Sequence, residues 1–262
     1  MNAIRNFFSL FFISFFLCHP PLQAVIQGEL FFSKDVQPKQ KLQSSITLSN
    51  DQAIPKEIHL KLVDYSYNAN GETFFLKPGT LTRSNAAWIK LQKDHVILPP
   101  HSTQEIFYTI HVPNDPLLQG TYWSLILVEP QINALPTPNE QLNLLVQVRY
   151  GFQILCHIGQ GIGKLKFIKK ELQTRENKSF ITFDVHNSGE IYLKPKIILK
   201  IFDEQGKLFK TFSTNEEKIY PETSVRYSIE LKGLPSNTYT AFSILDAGKK
   251  QIFTEQFKLQ VP

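Results

Sequence analysis

Along most of this chain, apolar and polar residues alternate one for one. In the first half Ile46 and Leu48 are followed, after a turn, by Ile58, Leu60 and Leu62. The second half repeats the plan with Ile181, Phe183 and Val185, then Ile197, Leu199 and Ile201. A period of two marks a strand with one buried face. Turns carrying Asn70-Gly71 and Gln205-Gly206 close the paired runs, because glycine supplies the positive φ of a tight hairpin. Further on, each half has a proline turn and another alternating run: Ile106, Tyr108, Ile110 and Val225, Tyr227, Ile229. The predicted fold is all-β, two tandem immunoglobulin-like antiparallel β-sandwich domains over 25–150 and 160–262. Each has about seven strands, and 151–159 is read as the connection.

The duplication extends to two phrases. "PNDPLLQGTYWSLILVEP" runs from Pro113 to Pro130, and "GLPSNTYTAFSILDA" from Gly233 to Ala247. Each sets a Thr-Tyr pair just after a turn. In immunoglobulin-like sandwiches a tyrosine at that place folds its hydroxyl back onto upstream backbone. Tyr122 and Tyr239 are therefore expected to be structural tyrosine corners. Trp123, one residue on, should face the opposite side of its sheet. Trp88 is expected in the core.

The N-terminus departs from this pattern. Arg5 precedes an apolar stretch from Phe7 to Leu17, and "LQA" ends at Ala24. That order of charge, apolar segment and small residue is a secretory signal peptide over 1–24, cleaved between Ala24 and Val25. The apolar segment is short of the about 20 residues that span a bilayer. Cys18 suggests a lipoprotein alternative, but Leu17 stands where a lipobox needs a small residue. An uncleaved anchor is the other alternative. The mature chain is expected to be exported, periplasmic or at the cell surface, without a transmembrane anchor.

Of two cysteines, only Cys156 follows the signal, so no intramolecular disulfide can form and burial must carry stability. The full chain has a formal charge of +5. Residues 25–159 hold ten basic and eleven acidic side chains, and 160–262 hold seventeen and twelve. The second half therefore carries the basic surplus (17 − 12 = 5). Much of it lies in "GKLKFIKKELQTRENK", with Lys164, Lys166, Lys169 and Lys170. With Arg149 these form a candidate basic patch, although charge also guards exposed strand edges.

Catalytic motifs are absent: no glycine-rich phosphate loop, no G-x-S-x-G, no H-E-x-x-H. His95 and His101 flank a proline turn with His111 nearby, and are read as turn and strand-face residues. Neither an enzymatic activity, a cofactor, a metal nor nucleic acid is expected. The most suggestive stretch is "QLNLLVQVRYGFQIL". Leu142, Leu144, Val146 and Val148 continue in phase through Tyr150, Phe152 and Ile154. They form a candidate partner-binding strand, set against the alternative that they fill their own core.

The tags "W-I-x-L" from Trp88, "L-P-P-x-S" from Leu98 and "G-T-Y" from Gly120 resemble bacterial exported tandem immunoglobulin-like proteins. Two groups share that plan: the periplasmic pilus-assembly chaperones and the WxL-interacting proteins. The resemblance covers nearly the whole mature chain. In the chaperones it implies a last strand of the first domain that donates alternate apolar residues to an incomplete partner. It also implies an Arg and a Lys in the inter-domain cleft, for which Arg149 and Lys164 lie near the expected junction. The chaperones' acidic and Asn positions around the sixth strand have no match in "QGTYWSLILVEP". The leading expectation is an exported binding or scaffold protein that recognises an envelope protein or surface polymer by strand edges and the inter-domain groove. A fimbrial-type assembly chaperone and a cell-wall glycan binder, with Trp88 and Trp123 as sugar platforms, are the alternatives.

Overall fold

The computed structural model describes residues 25–131, 147–176, 178–248 and 251–261. Among the described residues ten strands precede residue 159: β1 (Ile26–Gln27), β2 (Phe31–Val36), β3 (Lys41–Asn50), β4 (Lys56–Tyr67), β5 (Thr73–Leu76), β6 (Ile89–Leu91), β7 (His95–Leu98), β8 (Ser102–His111), β9 (Gly120–Pro130) and β10 (Tyr150–Ile158). Seven follow: β11 (Leu165–Arg175), β12 (Lys178–Asn187), β13 (Lys196–Phe202), β14 (Leu208–Ser213), β15 (Ser224–Glu230), β16 (Asn237–Asp246) and β17 (Ile252–Val261).

These strands make two immunoglobulin-like sandwiches in tandem. The first packs a sheet ordered β1-β3-β8-β6 on one ordered β2-β10-β9-β4-β5, where β7 also pairs with β4. The second packs β11-β12-β15 on β14-β13-β16-β17. Each sandwich closes on the alternating residues that the sequence marks. Ile46, Leu48, Ile58, Leu60, Ile106 and Ile110 are buried in the first; Ile181, Phe183, Val185, Ile197, Leu199 and Ile201 are buried in the second. Fully burying one such side chain is worth about 1.5–3 kcal/mol. The hairpin glycines take positive φ, 85° at Gly71 and 77° at Gly206. No helix among the described residues is long and apolar enough to cross a membrane.

Two expectations change. The stretch 151–159, read as a connection, is mostly strand β10. It pairs antiparallel with β9 along Tyr150–Ile158 and parallel with β2 along Gln153–Ile158. Phe152, Ile154, Cys156 and Ile158 all belong to the first core, so their alternation is a domain signal and the link comes later. Of the tyrosine corners, Tyr239 donates to the Pro235 carbonyl at 3.0 Å. Tyr122 does something else. Its ring packs 4.9 Å from Trp88, and the Arg83 guanidinium lies 5.5 Å from its centroid.

Candidate functional site

The two sandwiches meet at β9, β10 and the segments 159–164 and 188–194. Thr121 N–H donates to the Glu190 carbonyl at 2.8 Å, and Glu190 N–H donates to Ile162. Gly120 sits at φ 84° against that carbonyl, and a Cβ there would overlap it. The glycine before Thr121 is thus required by the approach of the second sandwich as well as by its turn.

An aromatic cluster fills the junction. Trp123 and Tyr220 stack at 5.0 Å with ring planes 10° apart. Tyr192 lies 5.1 Å and Tyr67 5.9 Å from Tyr220, and Leu155 is fully buried among them. Three of the polar tips are satisfied: Trp123 Nε1–H donates to Tyr65 O at 2.7 Å, Tyr220 hydroxyl to Gln153 Oε1 at 2.5 Å, and Tyr67 hydroxyl to Lys218 O, whereas the buried Tyr192 hydroxyl has no partner among the described residues. Burial raises the pKa of the Tyr67, Tyr192 and Tyr220 hydroxyls, so all three stay protonated. Trp123 faces away from Tyr122, as strand alternation requires. Trp88 is 8% exposed and Trp123 3%, so neither indole offers a face to a sugar, against the glycan-platform alternative.

Beside this cluster β10 has an open edge. β2 covers it only from Gln153, opposite Phe31, onward. Gln153 N–H points to that side, where it donates to Leu30 at 3.0 Å. Backbone groups alternate along a strand, so Gly151 presents its N–H and C=O the same way. Among the described residues nothing pairs with them. Phe152 and Tyr150 point inward next to this gap, and Phe152 packs 6.0 Å from Tyr108.

Two cations stand where the open edge ends. Lys218 Nζ lies 4.7 Å from the Phe31 ring centroid and Lys194 Nζ 5.8 Å. Neither has a carboxylate within 4.0 Å among the described residues. Burial, and then the charge of Lys194, lower the Lys218 pKa. An anion placed between them would be attracted by both. An open space of about 490 Å³ lined by Tyr65, Tyr67, Gln153, Lys218 and Tyr220 adjoins them.

The residues singled out from sequence fall differently. Leu142, Leu144, Val146 and Ala24 lie outside the described residues. Val148 is half-buried, just before β10, and Val25 is 2% exposed beside β1. Arg149, expected near the junction, lies just before β10, four residues and about 13 Å by strand rise from Gln153, the β10 residue that Tyr220 meets. There it pairs with Glu129 at 3.2 Å. The patch containing Lys164, Lys166, Lys169 and Lys170 is dispersed. β11 is an edge strand, Lys169 pairs with Glu171 at 2.9 Å, and Lys170 pairs with Glu255 at 2.9 Å over the Phe257 ring. Lys164 is exposed in the link, where its carbonyl accepts from Ser188 N–H at 2.9 Å. Sequence reasoning did not find Lys194 and Lys218, because 23 residues and two strands separate them.

One further convergence joins distant positions. Glu57 Oε1 lies 3.2 Å from His59 Nε2 and 2.9 Å from His95 Nε2. The hydrogen bond to His95, then that to His59, lowers the Glu57 pKa. His101 is in a turn at φ 49° and His111 ends β8, so neither joins His95.

No protein-family model and no curated protein matches the chain. Among solved structures it is similar to the class 5 fimbriae chaperone CfaA, at 15% identity over 90% of this chain and 98% of that one, with a TM-score of 0.46. It is similar to a chain of a chaperone-tip adhesin complex of CFA/I fimbriae at 13% identity over 86% and 94%, TM-score 0.45. The E. coli chaperone DraB is 15% identical over 89% and 96%, TM-score 0.39.

Proposed function

We propose that this protein is a periplasmic assembly chaperone that holds an unfinished envelope subunit by strand addition. The observation that carries the reading is the edge of β10 at Gly151, whose N–H and C=O meet no partner among the described residues, ending at two lysines with no carboxylate within 4.0 Å among those residues. A strand laid along that edge would gain main-chain hydrogen bonds from Gly151, and its side chains would pack beside Tyr150 and Phe152. Where β2 begins, the incoming strand must stop. A terminal carboxylate at that point would meet Lys194 and Lys218, a pairing that relieves their mutual repulsion. The row Leu142, Leu144, Val146 and Val148 has the same parity as the inward residues of β10, which supports a longer donated surface. Export with cleavage after Ala24 belongs to the same reading, since Val25 and Ile26 are already buried in the first core.

The test compares three proteins isolated from the native envelope: wild type, Gly151→Pro, and Lys194→Glu/Lys218→Glu. Proline removes the outward N–H without touching the bonds to β9. Wild type should carry a stoichiometric subunit and both variants should lose it, with unchanged thermal unfolding of the purified chains. Wild type isolated alone, or variants that keep the subunit, would overturn the proposal.

A further inference from the structure

On the outer face of the first sandwich, far in sequence from the open edge, Glu57, His59 and His95 turn their side chains to one point. Strand geometry explains the convergence. His59 and His95 are register partners on β4 and β7. Leu60 N–H donates across this pair of strands to Asp94 at 2.8 Å, while the Glu57 carbonyl accepts from Gln131 on the opposite side. Backbone groups at odd positions of β4 therefore point away from β7, and His59–His95 is a non-hydrogen-bonded pair. Side chains in such pairs stand closest. Glu57 is two residues before His59 on the same face and diagonal to His95. The inward neighbours Ile58, Val96 and Leu98 anchor both strands in the core.

We propose that Glu57, His59 and His95 form a zinc site with three protein ligands and an open fourth position. One carboxylate oxygen of Glu57 and one ring nitrogen each of His59 and His95 all lie within 4.8 Å of one another. Two of the separations, 3.2 and 2.9 Å, approach the about 3.3 Å edge of a tetrahedron with metal–ligand bonds of about 2.05 Å. Closing the third edge requires only rotation of imidazoles whose centroids are 4.8 Å apart. Both rings are about 40% exposed, at 38% and 43%, so an ion reaches them without opening the fold. Two imidazoles and one carboxylate suit zinc, whereas magnesium and calcium prefer oxygen alone. Glu129, the register partner of His59 on β9, pairs with Lys61 at 2.6 Å and Arg149 at 3.2 Å, which offsets one of the two nearest positive charges.

The test uses untagged, chelator-treated protein titrated with zinc chloride by calorimetry, and with cobalt(II) by visible absorption. One zinc per chain is expected, with the strong visible bands of tetrahedral cobalt. His59→Gln and His95→Gln should each weaken binding by more than the roughly 10- to 100-fold that loss of a mere supporting contact costs. His101→Gln and His111→Gln should leave it unchanged. Thermal unfolding in chelator should be the same for all four variants, so a folding defect cannot imitate a binding defect. No zinc uptake by wild type, or uptake indifferent to His59 and His95, would overturn the assignment.

Discussion

Asn50 and Asn187 occupy the same place in the two sandwiches and make the same bonds. Each is wholly buried at the end of a strand, β3 or β12. Each accepts from the backbone N–H two residues on: Gln52 at 3.1 Å, Gly189 at 2.9 Å. Each donates to the carbonyl four residues on, Ile54 or Ile191, both at 2.8 Å. Each also reaches a distant carbonyl ahead of a proline turn: Leu98 at 3.1 Å, Ile219 at 3.0 Å. The amide thus stitches a strand end to the segment that begins the β8 or β15 hairpin.

Replacing either amide leaves several buried backbone groups without a partner, each costing about 1–3 kcal/mol. Asn50→Ala and Asn187→Ala are each expected to destabilise the chain by about 2–4 kcal/mol. Urea denaturation measures this. If aspartate restored full stability at either position, the donor bonds to the carbonyls would not be the cause.

The stack of Trp123 on Tyr220 joins one sandwich to the other. Such a pair contributes about 0.5–1.5 kcal/mol beyond the area that it buries. In a double-mutant cycle of Trp123→Leu and Tyr220→Leu, a coupling energy of that size is expected, along with faster proteolysis in the 159–164 link. Strictly additive effects would mean that the rings pack against their own sandwiches alone.

Cys156 is fully buried in the first core, and burial pushes its thiol up to about 11, with a hydrogen bond from Asn85 partly opposing. Thiolate is the reactive form, so labelling requires both exposure and deprotonation. A disulfide reagent should modify Cys156 at the rate of global unfolding, independent of reagent concentration. Rapid stoichiometric labelling of native protein at neutral pH would contradict the placement of β10.

The alternating positions were enough to locate the buried faces. Ile46 to Leu62 and Ile181 to Ile201 fill the two cores, and Gly71 and Gly206 turn the hairpins. Tyr239 also bonds back as its turn suggested. Tyr122 did not, because Trp88 and Arg83, brought from other segments, take its ring. Arg149 comes no nearer the junction than four residues before Gln153, and its side chain turns to Glu129 instead, a partner that only the pairing of β9 with β10 brings close. Glu57 could be grouped with His59 by spacing, but not with His95, since their meeting depends on the register of β4 against β7.

Local periodicity alone therefore determined two β-sandwiches in tandem, because a strand's inward face is set every second residue whatever lies around it. Only the tertiary structure decided where β2 stops covering β10, that Lys194 and Lys218 stand at that point, and that two histidines share a carboxylate. Those features arise from strand order, register and the docking of one sandwich on the other. Each is a contact between residues far apart in the chain, which no local pattern encodes.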